Sequence, residues 1–262
     1  MTKIISKRGR ENLNHSGRYS AFEVNEIKLC SLDPVYFISR YIKVNHPVLG
    51  PVVFPMEKHQ IDFINAVHSA QNTIAMMPRQ TGMTSKSIAL LLWEALFHPQ
   101  QRIIAQGINC NNTSAMWDLL NFFVDTLPPF LKSLITVKNK VRIEFLNASS
   151  ISVSTMSANA LRGTSFTRLY LDCFAHAPDK LQHEVFQTAA YNRGRILIAS
   201  TPNGPNNTFA KVWFDANTQA NRFTAFKRTI DDLSKPISWK QMIKSQMSVH
   251  TWQQDYMCEF VS

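Results

Sequence analysis

The chain has 262 residues, 45% of them hydrophobic, enough to bury the core of one large domain or of one domain with appendages. A formal charge of +10 favours a polyanionic partner, nucleic acid first among them, although an ordinary basic surface has the same composition. No apolar run approaches the ~18 residues of a helical membrane span, and Cys30, Cys110, Cys173 and Cys258 stand too far apart for a sequence-local zinc site.

At the N-terminus Lys3, Lys7, Arg8, Arg10 and Arg18 are opposed only by Glu11, among Ser, Asn and Gly. Residues 1–21 are therefore expected to form a basic flexible arm, either a solvated tail or a DNA hook, ahead of a domain over 22–262. No secretion signal is read there, so a reduced, cytosolic compartment is expected. Asp33 to Tyr41 carries apolar residues at helical spacing. Val44 to Pro55, with prolines at 47, 51 and 55, is expected to be extended. Helical periodicity returns over Glu57–His68, where Ile61, Ile64 and Val67 mark one face that Phe63 widens.

From there short apolar strands alternate with helices. Thr73–Met77 is a strand, PRQTGMT a turn, and Ser85–Phe97 a helix. Arg102–Ala105 is a second strand, followed by an amphipathic helix over Thr113–Leu127 that Pro128-Pro129 stops. Val141–Leu146 and Ile151–Ser154 form a hairpin around Asn147-Ala148-Ser149. Leu169–Leu171 is a third buried strand, with a helix over Lys180–Tyr191 after its loop. Arg195–Ala199 is a fourth, ending in STPNG ahead of a helix over Asn207–Ala216. This alternation predicts an α/β domain with a largely parallel central sheet flanked by helices. Ligands of such sheets bind beyond the carboxyl ends of the strands. That rule places Thr84, Asp172 and Ser200–Asn203 around one crevice.

Three segments at those strand ends can carry chemistry. A phosphate loop follows a strand, cradles the anion with backbone N–H groups and opens a helix. Here Gly82 closes such a loop, and Thr84 sits where a Mg²⁺-binding hydroxyl belongs. Met83 occupies the usual lysine position and Met77 that of the first glycine, so taken alone the loop is also a plain strand–turn–helix connection. Asp172, at the end of LYLD, suits Mg²⁺ binding through the ion's water shell, and equally a helix cap. Cys173 stands where many motor ATPases have a water-orienting Glu, and a neutral thiol is a poor base. STPNG at 200–204 is either a phosphate sensor or simply a good turn.

In order and spacing, HQIDF, PRQTGMT, ALRGTSF, LYLDCFAHAPD and IASTPNGPNNTF together resemble the ATPase domain of tailed-phage large terminases, over about Asp33 to Phe260. The resemblance implies a P-loop NTPase fold of the ASCE type that binds ATP and Mg²⁺ and translocates double-stranded DNA. It implies a nucleotide site of Gln60, which matches an adenine-contacting glutamine, with Arg79, Gln80, Thr81, Gly82, Met83, Thr84 and Ser85, and with Ser200, Thr201 and Asn203 in the coupling segment. Arg79, Arg162, Asp172 and Cys173 match catalytic positions, and Thr84 and Asp172 match metal-binding ones. Implied partners are the portal protein, the small terminase subunit, a homo-oligomeric ring on the capsid and, as a further candidate, a separate nuclease-domain chain. The implied location is the bacterial host cytoplasm and, transiently, the procapsid portal.

Two departures qualify this. Family members carry Lys at the position of Met83 and Glu at that of Cys173. A lost charge donor is worth roughly 3 kcal/mol of transition-state stabilisation, and a lost base about 10²–10⁴-fold in rate. Turnover is therefore open, and the alternative is a non-hydrolysing module that binds nucleotide, DNA or the portal. A helicase-type ATPase is a third reading; ALRGTSF and STPNG argue against it by resemblance. Lys86 is expected at the surface, with reach to the phosphates as the other reading. His176 is expected in a structural or capping role, with replacement of the base as the other. The sequence ends at Ser262 in a stretch similar to the end of the ATPase region, so no nuclease domain is expected.

Overall fold

The computed structural model describes residues 19–46, 48–53 and 56–262. Most of the expected basic arm lies outside the described residues. Tyr19 and Ser20 already belong to the fold. The Tyr19 hydroxyl bonds Ser133 Oγ at 2.7 Å. Ser20 caps helix α1 (Ala21–Leu32): its hydroxyl accepts from the Glu23 amide, and the Glu23 carboxylate accepts from the Ser20 amide. This reciprocal box satisfies donors that a helix start otherwise leaves open. Helix α2 (Pro34–Tyr41) starts with Asp33 accepting from the Val35 amide and proline in the first turn, where its missing N–H costs nothing. The segment expected to be simply extended is a hairpin, β1 (Lys43–His46) pairing antiparallel with β2 (Gly50–Val53). Helix α3 (Lys58–Ser69) leads to β3 (Asn72–Met76) and α4 (Met83–Phe97).

The alternation then continues through β4 (Arg102–Gly107), α5 (Cys110–Thr126), the single turn α6 (Pro129–Lys132) and three strands, β5 (Ile135–Lys138), β6 (Arg142–Phe145) and β7 (Ser150–Thr155). After the short α7 (Ala158–Leu161) come β8 (Arg168–Asp172), α8 (Asp179–Ala190), β9 (Arg195–Ala199) and α9 (Thr208–Asn217). The chain ends in β10 (Thr224–Lys227), α10 (Ile237–Ser245) and α11 (Val249–Asp255). One eight-stranded sheet runs β10-β3-β9-β8-β4-β7-β6-β5. Its first six strands are parallel, and β6 and β5 extend it antiparallel. Strands β3 and β8 are therefore separated by β9, and the loops after all three open at the same edge.

Successive side chains of a strand point to opposite faces, and a parallel sheet is covered on both. Ala75, Ala105, Tyr170 and Leu197 accordingly join one core, packed under the N-terminal helices. Ile74, Ile104, Leu171 and Ile198 join the other, under α7–α9. Helix α4 packs against α1, α2, α3 and α5 as well as the sheet. Every residue from Lys86 to Leu96 is buried, as expected of a helix that is apolar all round. Two of those residues are charged. Glu94 is held by a two-pronged contact with Arg168, whose Nε lies 2.9 Å away, and by Arg195 at 3.5 Å. Lys86 has no such partner among the described residues.

Candidate functional site

After β3 the chain turns through Met77–Gly82 before α4 begins. Gln80 (φ 62°) and Gly82 (φ 80°) both adopt the left-handed region that makes this turn. Gly82 is the N-cap residue of α4 and supplies no capping side chain, which leaves the first-turn amides open to an anion. A Cβ at Gly82 would stand 3.2 Å from Ser85 Oγ and 3.3 Å from Gln60 Nε2. Conformation and packing both call for glycine there.

The loop is braced from several sides. Gln60 donates its amide to the Thr81 carbonyl at 2.9 Å, while its side-chain oxygen accepts from the Glu57 amide at 3.2 Å. Thr81 Oγ1 donates to the Pro78 carbonyl at 2.7 Å, and Ser85 Oγ to the Gly82 carbonyl at 2.9 Å. The Met83 side chain packs against the core under the N-terminal helices. Arg79 is fixed to the last helix, its Nε 3.0 Å from Asp255 Oδ2 and its amide donating to the Asp255 carbonyl at 3.1 Å.

Asp172 ends β8 and is 1% exposed. Thr84 Oγ1 donates to its Oδ1 at 3.0 Å, so the structure joins the loop and the acidic strand end directly. Tyr170, two residues back on the same face, donates its hydroxyl to the same oxygen. Burial pushes the Asp172 carboxyl above its ordinary range, opposed by the hydrogen bonds from Tyr170, Thr84 and Cys173. Cys173 takes a left-handed conformation (φ 53°), and its thiol lies 3.7 Å from Asp172 Oδ2. Burial first, and then the Asp172 charge, push that thiol up to about 12, so it is uncharged at neutral pH.

Ser200, Thr201 and Asn203 grip the turn that follows Asp172. Ser200 Oγ accepts from the Ala175 amide at 3.2 Å, Asn203 Nδ2 donates to the Ala175 carbonyl at 3.2 Å, and Thr201 Oγ1 pairs with His176 Nε2 at 2.8 Å. None of the three lines the cleft beside the loop. Burial, and after it the Arg79 charge, lower the His176 pKa. Its Nε2 is committed to Thr201, which makes His176 a strut of this turn.

The cleft beside the loop has a volume of ≈ 600 Å³. Its floor is Gln60, Arg79, Gln80, Thr81, Gly82 and Ser85, and its far wall is Leu233, Lys235, Pro236 and Trp239 from the C-terminal segment. Arg79, Lys86 and Lys235 line it together with the carboxylate of Glu57. Arg79 is paired with Asp255 and Lys235 with Glu57, so Lys86 is the lining cation left without a carboxylate among the described residues, and it favours an anion there. The expectation that Lys86 lies at the surface is corrected: it is 4% exposed and lines this cleft, because α4 is covered on every side. Arg162 lies apart from the cleft, exposed, with Nη1 donating to Asn159 Oδ1 at 2.6 Å. Sequence reasoning missed Tyr170, Asp255 and the C-terminal wall. Tyr170 was findable from its two-residue spacing to Asp172; Asp255 left no local signal.

Among the described residues no group of three or more His, Cys, Asp or Glu side chains could hold a metal alone. One buried carboxylate beside one hydroxyl nevertheless suits Mg²⁺, which keeps several waters and takes few protein ligands beside substrate phosphates. Among the described residues the side-chain donors to the buried Asp172, namely Thr84, Tyr170 and Cys173, are all neutral, and a divalent cation would balance its charge.

The family described as "Terminase large subunit, T4likevirus-type, N-terminal" matches residues 74–262. Three solved structures share the fold at low identity. A point mutant of the Thermus phage P74-26 large terminase ATPase domain is 17% identical with a TM-score of 0.64, over 79% of this chain and 95% of that one. The bacteriophage HK97 large terminase is 16% identical with a TM-score of 0.63, over 88% of this chain and 49% of that one. The large terminase of a thermophilic bacteriophage, in complex with ADP, is 15% identical with a TM-score of 0.60, over 79% of this chain and 54% of that one. This chain thus spans about half the length of the latter two proteins.

Proposed function

The chain belongs to the T4-like-virus type of terminase large-subunit N-terminal domains, and from that premise we propose that it is an ATP-binding module of a viral DNA-packaging motor. The observation that carries this reading is the 3.0 Å bond from Thr84 to Asp172, next to uncapped helix amides and a cationic cleft. Thr84 and Asp172 would hold Mg²⁺, which supplies charge neutralisation at the phosphates. The amides of Gly82–Ser85 would cradle the phosphate chain, and Trp239 and Leu233 would flank the base. Gln60 is already spent on the loop carbonyl of Thr81. Its support for the reading is that it holds the cradle's shape. Arg79 would reach the phosphates only by leaving Asp255. Arg162, exposed and outside the cleft, would act on a neighbouring subunit's nucleotide within a homo-oligomeric ring. The +10 charge favours double-stranded DNA as the substrate that is moved. Docking to a portal protein and a small subunit belongs to the same reading, as does work in the host cytoplasm.

A second reading, a module that binds nucleotide without turning it over, is favoured by Cys173. A thiol held protonated by burial and a neighbouring carboxylate takes no proton from water, and Met83 offers no charge. The test is ATP binding by calorimetry together with steady-state phosphate release, with and without DNA. We expect Mg²⁺-dependent ATP binding and turnover well below about 1 s⁻¹. Faster turnover would overturn the second reading. Absence of ATP binding would overturn the first.

A further inference from the structure

Helix α4 carries two buried charges, and they are treated differently. Glu94 has Arg168 and Arg195 against it. Lys86, 4% exposed, makes no side-chain hydrogen bond or ion pair among the described residues. Burying a lysine this far without an ion-pair partner costs more than burying an apolar side chain of the same length, and its ammonium is not among the fully buried unpaired polar atoms of the described residues, so the tip keeps an opening. Met fits such an environment, as Met83 does on the same helix. The lysine is not hidden from everything, however, because it lines the cleft beside Gly82 and Ser85. The one carboxylate of that cleft, Glu57, is already bonded by Lys235 at 2.8 Å, and its other oxygen lies 3.6 Å from His59 Nδ1. Burial alone lowers the Lys86 pKa, as expected where no anion compensates.

Met83 opens α4 and Lys86 follows three residues later, so the two lie on neighbouring strips of one helix face. Lys86 starts about 4.5 Å further along the axis. Long helical side chains lean back toward the N-terminus, and a four-carbon stem covers that rise. We propose that Lys86 is the phosphate-binding lysine of this chain, supplying from the second turn of α4 the charge that Met83 lacks. The ligand group is a polyphosphate chain, which provides the missing counter-charge. This rests on the reading of the cleft as a nucleotide site and adds to it which residue carries the charge.

The experiment measures binding of ATP with Mg²⁺, of inorganic tripolyphosphate and of adenosine to the full chain by calorimetry. It compares the wild type with Lys86→Met and with the double variant Lys86→Met/Met83→Lys. A charge-assisted hydrogen bond is worth enough that its loss should weaken ATP and tripolyphosphate binding roughly 10–100-fold. Adenosine binding should not change, and the melting temperature should hold or rise. Moving the lysine to position 83 should restore phosphate binding, which a merely structural lysine would not do. Equal ATP binding by wild type and a folded Lys86→Met variant overturns the role of Lys86 and leaves the nucleotide site standing. A wild type that binds neither ATP nor tripolyphosphate overturns both. A measurement on the wild type alone does not depend on any variant folding. Pyridoxal phosphate followed by borohydride should label Lys86, with excess ATP and Mg²⁺ blocking the label. Labelling confined to other lysines overturns the proposal.

Discussion

At the scale of single residues, Met83 and Cys173 decide what the site can do, and both are open to test. With its thiol pushed up to about 12, Cys173 is thiolate to an extent on the order of 10⁻⁴ or less near pH 7.5, and only the thiolate alkylates. In a Cys110→Ser background, which removes the exposed cysteine, iodoacetamide modification of Cys173 should be very slow at pH 7.5. It should accelerate about tenfold per pH unit toward pH 12, followed by mass spectrometry. Rapid labelling at pH 7.5 would mean that the thiol is activated and the base position is not inert. The complementary change restores the missing groups. Met and Lys have similar unbranched stems, so Met83→Lys should fit the loop, and Cys173→Glu supplies a carboxylate beside Asp172. If the proposed reading holds, both act on one transition state, and phosphate release should rise more in the double variant than the two single gains combined. A double variant that folds, binds ATP and releases no phosphate would show divergence beyond these two positions. Both departures were visible in the sequence. The burial of Lys86 was not, because residue spacing reports one apolar face and does not tell when a helix is covered all round.

Among elements, the ones that read easily were those with one stable face. The strands around Ile74, Ile103, Leu169 and Ile196 announce themselves as short apolar runs between turn residues, and the hairpin at Asn147 as two runs around a turn. Helix α1 went unread because only Glu26 and Cys30 of its residues are buried. Helix α1 thus has no stripe to find; helix α10 has one, Trp239, Met242 and Ile243 at helical spacing, although none of its residues is buried. Strand β10 escaped for a different reason: Thr224–Lys227 is a four-residue edge strand with Phe226 as its one buried residue, too short to show an alternation. The hairpin also does something its sequence does not state. The Asn147 side-chain amide donates to the carbonyls of Ala95 and His98 at 2.9 Å and of Leu96 at 3.1 Å. It thereby closes the C-terminal end of α4, where carbonyls lack helical partners. Asn147→Ala should cost about 1–3 kcal/mol, the penalty for buried groups left unpaired, measured by urea denaturation with an unchanged m-value. A loss below ~0.5 kcal/mol would mean that water replaces the side chain.

Across the whole molecule, the C-terminal segment closes back over the site that the N-terminal half builds. Strand β10 pairs with β3 at the sheet edge, Leu233, Lys235 and Trp239 form the cleft's far wall, and Cys258 is buried in the core under α7–α9. Asp255 of α11, with one carboxylate oxygen buried and otherwise unsatisfied, holds Arg79 at 3.0 Å. This long return was illegible because its contacts join residues more than 150 positions apart, and no local pattern encodes them. It has a consequence for binding. Arg79 is more than half exposed in this pair, so the tether is screened by solvent and is worth at most about 1 kcal/mol. A phosphate chain in the cleft offers the guanidinium a stronger, two-pronged partner. Under the proposed function, nucleotide binding and the Arg79–Asp255 tether are then alternatives, and their coupling would be reciprocal. Asp255→Asn keeps the shape of the side chain and removes its charge. It should tighten ATP binding by up to about fivefold, the equivalent of the tether's worth. In the wild type, ATP should correspondingly raise amide exchange across Val249–Asp255 as the helix loses its anchor. Weaker ATP binding by Asp255→Asn, with exchange in this helix unchanged by ATP, would mean that Asp255 aims Arg79 into the cleft instead of withholding it.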